Sequence, residues 1–180
     1  YYSEVYAAKN EYFQKTGIVY EDDIDFDERM NIFMDWFLFD RDLPGVDLPP
    51  IKYYFRKNQD QFSNEETKIY RDFCATLHSI FRLKRFSFFK KDLVIEDLFT
   101  KKTFVVTDKE VAPGLSKGDI FEARIIPFKG SFEFSKGFCF HPTEMRSFIV
   151  GEIKKVRNQE RTKHTKLILQ LAAMKLKHKR

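Results

Sequence analysis

The spacing of apolar residues changes from helical to alternating near residue 85 and returns to helical near residue 142. Before the first change, apolar side chains recur every three or four residues, which is typical of amphipathic helices. This spacing predicts four helices: residues 2–15, residues 27–39 with Asp25 or Asp27 as the cap, a helix from Pro50, and a helix from the capping box of Ser63 and Glu66 to about Phe81. Because helices, strands and a final helix follow one another in separate blocks, the sequence predicts an α+β fold.

Between the two changes, short segments of alternating apolar and polar residues are separated by turn residues, which is typical of tandem β-strands. Residues 93–95 and 104–106 flank Thr100, Lys101 and Lys102 and predict a hairpin. About five strands joined in this way predict a small antiparallel sheet that curls or forms a partly open barrel. We therefore predict three parts: an acidic helical part over residues 1–83, a small antiparallel β part packed on it over 84–141, and a C-terminal helical segment with a basic tail over 142–180.

Charge is sorted along the chain. Residues 1–50 contain 4 Lys and Arg against 12 Asp and Glu, whereas residues 153–180 contain 10 Lys and Arg against one acidic residue, Glu160. Blocks of one sign repel themselves and attract opposite charge, so they often mark interaction surfaces. The cationic segment suits the phosphate backbone of nucleic acid. The predicted binding residues are Lys154, Lys155, Arg157, Arg161, Lys163 and Lys166.

Two other partners fit the same basic segment. An acidic protein surface, including the first fifty residues of this chain or of another copy, is the main alternative. An anionic membrane surface fits less well, because the tail has no Trp or Phe to anchor it. The basic segment also includes Lys175, Lys177, Lys179 and Arg180 at its end.

The helical spacing of the C-terminal segment is interrupted. It runs to Val156, stops over residues 157–166 and resumes at Leu167, Ile168 and Leu171. A helix that continued to pack on the same core would keep its apolar spacing. We therefore expect the last helix to project, to dock on another part of the chain, or to form a homodimer with a second copy.

Two pairs of potential metal ligands have spacings that place each pair on one face of its element. Cys74 and His78 are four residues apart on a predicted helix, and Cys139 and His141 are two apart on a predicted strand. If the pairs face each other, they supply the four ligands of a tetrahedral zinc site. Neither spacing is that of a zinc finger, and the simpler interpretation is that both cysteines are small buried apolar residues.

The acidic run before the second predicted helix resembles a calcium loop only in part. Asp23, Asp25 and Asp27 match the first, third and fifth positions of an EF-hand loop. The sixth position is Glu28 instead of Gly, and the twelfth is Met34 instead of Glu. A capped helix start, with carboxylates near its positive end, explains the same residues.

One predicted strand carries a row of aromatic residues. Phe132, Phe134, Phe138 and Phe140 share a face, which would suit the stacking of single-stranded bases. The preferred interpretation is that they fill the core, because an exposed patch of that size is unusual on a monomer. On the preceding strand, Arg124 is predicted to lie on the solvent face.

Three short strings resemble segments of a known group of proteins. They are Asp-Trp-Phe-Leu-Phe-Asp at residues 35–40, Asp-Leu-Phe-Thr at 97–100 in the predicted hairpin, and Gly-Asp at 118–119 before the strand that carries an arginine. Over roughly residues 28–150, by eye and across one domain-sized stretch, the chain resembles a poorly characterised group of bacterial proteins often found with SEC-C motifs. The resemblance implies a similar fold and a bacterial source, but no activity and no functional residue, and the Cys-rich SEC-C motif itself is absent here.

Catalytic motifs are missing from the sequence. There is no Gly-rich phosphate loop, nucleophile elbow or His-Glu-x-x-His helix, and no cofactor is predicted. No apolar run is long enough to span a membrane, and two cysteines do not make a disulfide framework, so a reducing cytoplasm is predicted. Tyr1 in place of Met predicts that a longer chain has been trimmed.

These features together predict a cytoplasmic binding module without catalytic activity. Nucleic acid bound by the basic C-terminal segment is the first candidate partner. The alternative is a protein-interaction or self-assembly module in which the basic tail meets an acidic surface. An uncharacterised enzyme or a zinc site comes third.

Overall fold

The computed structural model describes residues 2–87, 92–107 and 114–179, except for the side chains at 87 and 177–179. Over these residues the chain forms six α-helices and five β-strands. The helices are α1 (Tyr2–Thr16), α2 (Phe26–Phe39), α3 (Pro50–Asn58), α4 (Asn64–Cys74), α5 (Arg146–Val156) and α6 (Arg161–Lys179). The strands are β1 (Leu77–Ser87), β2 (Asp92–Asp97), β3 (Thr103–Thr107), β4 (Ile120–Phe128) and β5 (Ser131–Phe140). The predicted α+β fold is confirmed.

The five strands form one curled sheet in the order β3-β2-β1-β4-β5. Neighbours in this order are antiparallel, including the predicted β2–β3 hairpin. The sheet curls so far that its edge strands β3 and β5 meet through a parallel pair, Val106 opposite Phe132. Because the β3–β5 pair is parallel, the sheet is mixed. Among the described residues the two edge strands pair only at this point, so the sheet is curled rather than a fully hydrogen-bonded barrel.

The inside of the curl is apolar. Side chains from all five strands fill it: Phe81, Leu83, Leu93, Ile95, Val106, Phe121, Ala123, Ile125 and Phe138. Phe132 and Phe134 pack at the margin of this cluster, whereas Phe140 is 39% exposed. The core interpretation of the phenylalanine row is therefore right for all but its last member.

Two helical layers cover the outside of the sheet. α5 and α6 pack on one part through Ile80, Leu98, Phe99, Ile120, Ile149, Ile153, Leu167, Ile168 and Leu171. α1 and α2 pack on β5 through a second cluster that includes Tyr12, Phe33 and Cys139. α2 lies so close to β5 that a Cβ at Gly137 would be 3.1 Å from the Cα of Ile32.

α6 docks on its own chain, which is one of the three outcomes expected for it. Its apolar spacing breaks because residues 157–160 separate it from α5. Near its end, Lys175 forms an ion pair with Glu28 over 2.6 Å, and Leu176 lies against Gly17 at the end of α1. The first and last helices are therefore neighbours.

One predicted helix is too long. The helix that starts at the capping box ends at Cys74, and Leu77 begins β1. β1 is buried on both faces, since Ile80 packs under the C-terminal helices while Phe81 faces the inside of the curl. Such a strand loses its alternating pattern and resembles a helix in sequence.

No helix within the described ranges is long and apolar enough to cross a membrane.

Candidate functional site

Charged and polar side chains lie buried on the outer face of the sheet, between β4, β5 and the helices that cover them. Glu122 and Arg124 alternate with residues that face the inside of the curl, so they point outward. The strand register places Cys139 opposite Glu122 and His78 opposite Arg124. All four side chains are at most 6% exposed.

The prediction that Arg124 faces solvent is wrong. Arg124 is 1% exposed and its guanidinium donates to the carboxylate of Asp40, just after α2, and to Oγ1 of Thr76 over 2.9 Å. The ring of Phe39 lies 4.7 Å from the guanidinium carbon. α2 covers this face of the sheet, and alternation within a strand does not show which face a helix covers.

His78 lies between two carboxylates. Its Nε2 is 3.0 Å from Oε1 of Glu122, and its Nδ1 is 3.4 Å from Oδ2 of Asp40. Burial alone would lower the pKa of His78, but the hydrogen bonds to Asp40 and Glu122 outweigh it and raise the pKa to about 9. His78 is therefore an imidazolium at neutral pH and donates a hydrogen bond to each carboxylate.

Asp40 shows the complementary effect. Burial would raise the pKa of this carboxyl, but the hydrogen bond from His78 and the charge of Arg124 lower it to about 2. Arg124, Asp40, His78 and Glu122 thus form a chain of side chains whose charges alternate in sign, and all of them are buried except Asp40, which is half-buried.

A second group of polar atoms adjoins Glu122. One ligand-type atom each of Glu122, Cys139 and His141 lies within 4.8 Å of the other two. Lys175 donates to Sγ of Cys139 over 3.3 Å and to Oε1 of Glu28 over 2.6 Å. Burial, and secondarily the charge of Glu122, raises the pKa of the Cys139 thiol well above its usual range. Burial likewise lowers the pKa of His141, which favours the neutral imidazole.

Some polar atoms in this group lack hydrogen bonds. Oε2 of Glu122 and both ring nitrogens of His141 are buried without a partner in the part of the chain that the structure describes. Buried polar groups are almost always paired, so each exception needs an explanation.

The structure gathers three of the four residues predicted as zinc ligands. His78, Cys139 and His141 surround Glu122 on one sheet face, whereas Cys74 is half-buried at the end of α4 and outside the group. Cys74 and His78 do not share a helix face, because α4 ends between them. Sequence reasoning missed Glu122, since only the β4–β5 register brings it to Cys139.

The six predicted binding residues lie around the connection from α5 to α6. Lys154, Lys155, Arg161, Lys163 and Lys166 are exposed and Arg157 is half-buried. Two of the cations anchor the connection, because Arg157 donates to the carbonyl of Leu98 and Arg161 to that of His78. The side chains of Lys177 and Lys179, and Arg180, lie outside the described residues.

The sheet adds cations that the sequence did not indicate. Arg82, Lys84 and Lys101 surround a single carboxylate, Glu96, at 3.8, 4.0 and 3.8 Å. Partial burial lowers the pKa of Lys101, and Arg157, Arg82 and Lys84 lower it further against the opposing effect of Glu96. The basic surface therefore extends from the α5–α6 connection onto the sheet.

Comparison with known proteins gives a family but no activity. Residues 4–179 match the family model described as "Family of unknown function (DUF7986)". The chain belongs to this family. Neither a curated protein nor a solved structure matches it. A place in a poorly characterised group is thus confirmed, and the link to SEC-C motifs stays a prediction.

Proposed function

We propose that this family member binds nucleic acid through the basic surface at the α5–α6 connection. The observation that carries the proposal is a set of exposed cations without acidic partners. Among the described residues, Lys154, Lys163 and Lys166 have no ion pair, whereas Lys155 is paired with Glu152. Unpaired cations on an exposed surface are available to phosphate groups, whose neutralisation releases counterions.

The acidic N-terminal block does not neutralise these cations within the chain. Lys163 and Lys175 are separated by about 18 Å along α6, at 1.5 Å per residue. Among the described side chains of α6, Lys175 is the cation that forms an ion pair with the acidic block, through Glu28. Glu4 and Glu11 are paired with Arg41 inside the block itself. The cations at the start of α6 therefore remain available to another molecule.

The shape of the basic surface also suits an extended polyanion. Arg157 connects the helical cations with Arg82, Lys84 and Lys101 on the sheet, since its charge acts on Lys101. A row of cations from two elements can follow successive phosphates of one strand. Such contacts position a nucleic acid without reading its sequence.

Fluorescence anisotropy with labelled single- and double-stranded oligonucleotides tests this proposal. We expect Lys154→Glu/Lys163→Glu/Lys166→Glu to weaken binding at least about tenfold and to reduce its dependence on salt. Lys52→Glu/Lys57→Glu/Lys68→Glu is the matched control, because it changes the net charge equally at exposed lysines of α3 and α4. Equal affinities of the parent chain and the first variant, or equal losses in both variants, would overturn the proposal.

The alternative function is a protein-interaction or self-assembly module. A groove of about 550 Å³ between α1, α2 and the α3–α4 hairpin favours it, because the groove is lined largely by apolar and aromatic residues and Tyr54 is 48% exposed. Sedimentation velocity distinguishes the two functions. A dimer that dissociates in high salt and in the triple Lys→Glu variant would support self-assembly through the basic tail, and a dimer that persists in that variant would support association through the groove. A homodimer through α6 stays a prediction.

The cellular setting belongs to the same proposal. We place the protein in the reducing cytoplasm of a bacterium, beside proteins with SEC-C motifs, as the sequence predicts. The two cysteines, both free thiols, support this setting.

A further inference from the structure

We propose that Glu122, Cys139 and His141 bind a divalent transition-metal ion of the zinc class. The strand register places the three side chains together. Glu122 and Cys139 are directly opposite in the β4–β5 pair, and His141 follows Cys139 by two residues. The amide of His141 donates to the carbonyl of Ile120 over 3.1 Å, which holds the backbone after β5 against β4.

The distances suit a metal ion. The three ligand atoms lie within 4.8 Å of one another. Ligand atoms around tetrahedral zinc are about 3 to 4 Å apart, given bonds of about 2.0 to 2.3 Å. Metal binding therefore requires the three ligand atoms to move closer together, from separations of at most 4.8 Å.

The unpartnered atoms are a second, independent observation. His141 is 7% exposed and Glu122 is 1% exposed, yet Nδ1 and Nε2 of His141 and Oε2 of Glu122 have no hydrogen bond within the described residues. A metal ion held by one imidazole nitrogen and by Oε2 satisfies two of these atoms at once. A purely structural cluster gives no reason to leave them unmet.

The ligand types select the class of metal. A thiolate, an imidazole and a carboxylate suit zinc, cobalt and similar ions, whereas magnesium and calcium prefer oxygen ligands alone. Three protein ligands leave a fourth coordination position, as in catalytic zinc sites. A cavity of about 20 Å³ that Cys139 and Lys175 help to line has room for one water molecule next to the thiol.

Two charged side chains, His78 and Lys175, lie beside the proposed metal ligands and affect how the metal ion would bind. His78 bonds to the other oxygen of Glu122 and orients the carboxylate, as outer partners of metal ligands do. Lys175 contacts Sγ of Cys139 and competes with the metal, so it has to turn fully to Glu28. Cys139 loses its S–H proton to water as the bond from Sγ to the metal forms, and Lys175 keeps its proton.

Titration of the metal-free full chain with cobalt(II) alone tests the proposal. We expect one equivalent to bind and to give the thiolate-to-cobalt charge-transfer band, with visible bands typical of four-coordination. Cys139→Ala should abolish the charge-transfer band. Cys74→Ala is the matched control, since it removes the other thiol, and should leave the spectrum unchanged.

Further variants identify the remaining groups. His141→Asn and Glu122→Gln should each weaken cobalt binding at least about tenfold, and Lys175→Met should tighten it.

Absence of the charge-transfer band from the parent chain, or an unchanged band in Cys139→Ala, would overturn the proposal. The parent spectrum decides even if a variant does not fold. Lys154→Glu/Lys163→Glu/Lys166→Glu should bind cobalt normally, so failure of this inference and failure of nucleic-acid binding are distinguishable.

Discussion

The two faces of β4 are both buried, but the side chains that fill them are opposite in character. Phe121, Ala123 and Ile125 face an apolar interior, whereas Glu122 and Arg124 face a layer of charged groups under the helices. Apolar burial contributes directly to stability, at about 25 cal/mol for each Å² removed from water. Buried charges lose their hydration, and their mutual attraction often does no more than offset that loss.

This difference indicates that the apolar inner face stabilises the fold directly. The charged outer face is stable only while each charge keeps its partner of opposite sign. Each charge of the outer face is tolerated because its neighbour has the opposite sign. A single deletion leaves an uncompensated partner, although replacing a whole pair need not be costly. The predictions below separate the two faces by the size and pH dependence of their effects.

The largest effect is expected on the inner face. Phe121→Ala should lower the free energy of unfolding by about 4 kcal/mol, because it removes a fully buried ring that packs on Phe138 at 4.7 Å and on Phe134 at 5.9 Å. Urea denaturation measures it. Val105→Ala on β3, where the side chain is 44% exposed, is the control. A loss no larger than that of the control would mean that the interior is not tightly packed.

On the outer face, Arg124→Met should lower the free energy of unfolding by about 3 kcal/mol, since Asp40 then loses one of its two cationic partners, Arg124 and His78. The double variant with Asp40→Asn should recover part of this loss, because it removes both members of the pair. A double-mutant cycle based on urea denaturation gives the coupling. Strictly additive losses would show that the two side chains act independently.

The pH dependence of stability should come mainly from the outer face. The pKa of His78 is about 9 in the folded chain against an ordinary value of 6.5. The contribution of His78 to folding stability is therefore complete below pH 6.5 and is lost as the pH rises through about 9. Stability should fall by about 2 kcal/mol between pH 7 and roughly pH 10.

The stability of His78→Gln should depend less on pH between pH 7 and pH 10. Asp40 does not titrate there, because its pKa is about 2. Urea denaturation of both proteins at each pH measures the difference. Parallel profiles for the parent and His78→Gln would show that the raised pKa does not contribute to folding.

A smaller effect is expected where α2 meets the outer face. Gly137→Ala should lower the free energy of unfolding by about 1 to 2 kcal/mol, because the added Cβ meets Ile32 and the carboxylate of Asp35. Gly151→Ala on α5 is the matched control, since nothing lies within 4 Å of its Cβ position, and it should stabilise the helix by up to about 1 kcal/mol. If both substitutions stabilise, α2 is not in close contact with β5. Thermal unfolding compares the pair.

The sequence allowed the start of α4 and the β2–β3 hairpin to be predicted, because local chemistry controls them, whereas Asp25 stands at the predicted cap position of α2 without a side-chain capping hydrogen bond. The capping box of Ser63 and Glu66 forms as predicted, and Lys101 lies in the turn after β2. The end of α4 was missed because β1 is buried on both faces. Local patterns indicate where an element starts more reliably than which layers cover it.

The candidate site was only partly predictable for a related reason. Cys139 and His141 share a face because of their spacing in an extended strand, which the sequence shows. Glu122 joins them through the register between β4 and β5, and Arg124 is buried because α2 lies over it. Register and layer order depend on the whole fold, so the sequence did not single out Glu122 and wrongly placed Arg124 on the solvent face.

The contact between α1 and α6 has a consequence for synthesis of the chain on the ribosome. Glu28 and Lys175 are separated by 147 residues, and Leu176 completes the surroundings of Gly17. The first helix emerges first but cannot reach its final environment until the last helix has left the ribosome. Contacts so distant in sequence form late, because the closure of a long loop precedes any gain from them. We therefore expect the N-terminal helices to wait unpartnered during translation, and the excess of acidic residues in the first fifty positions gives a like-charge repulsion that opposes aggregation of an incomplete chain.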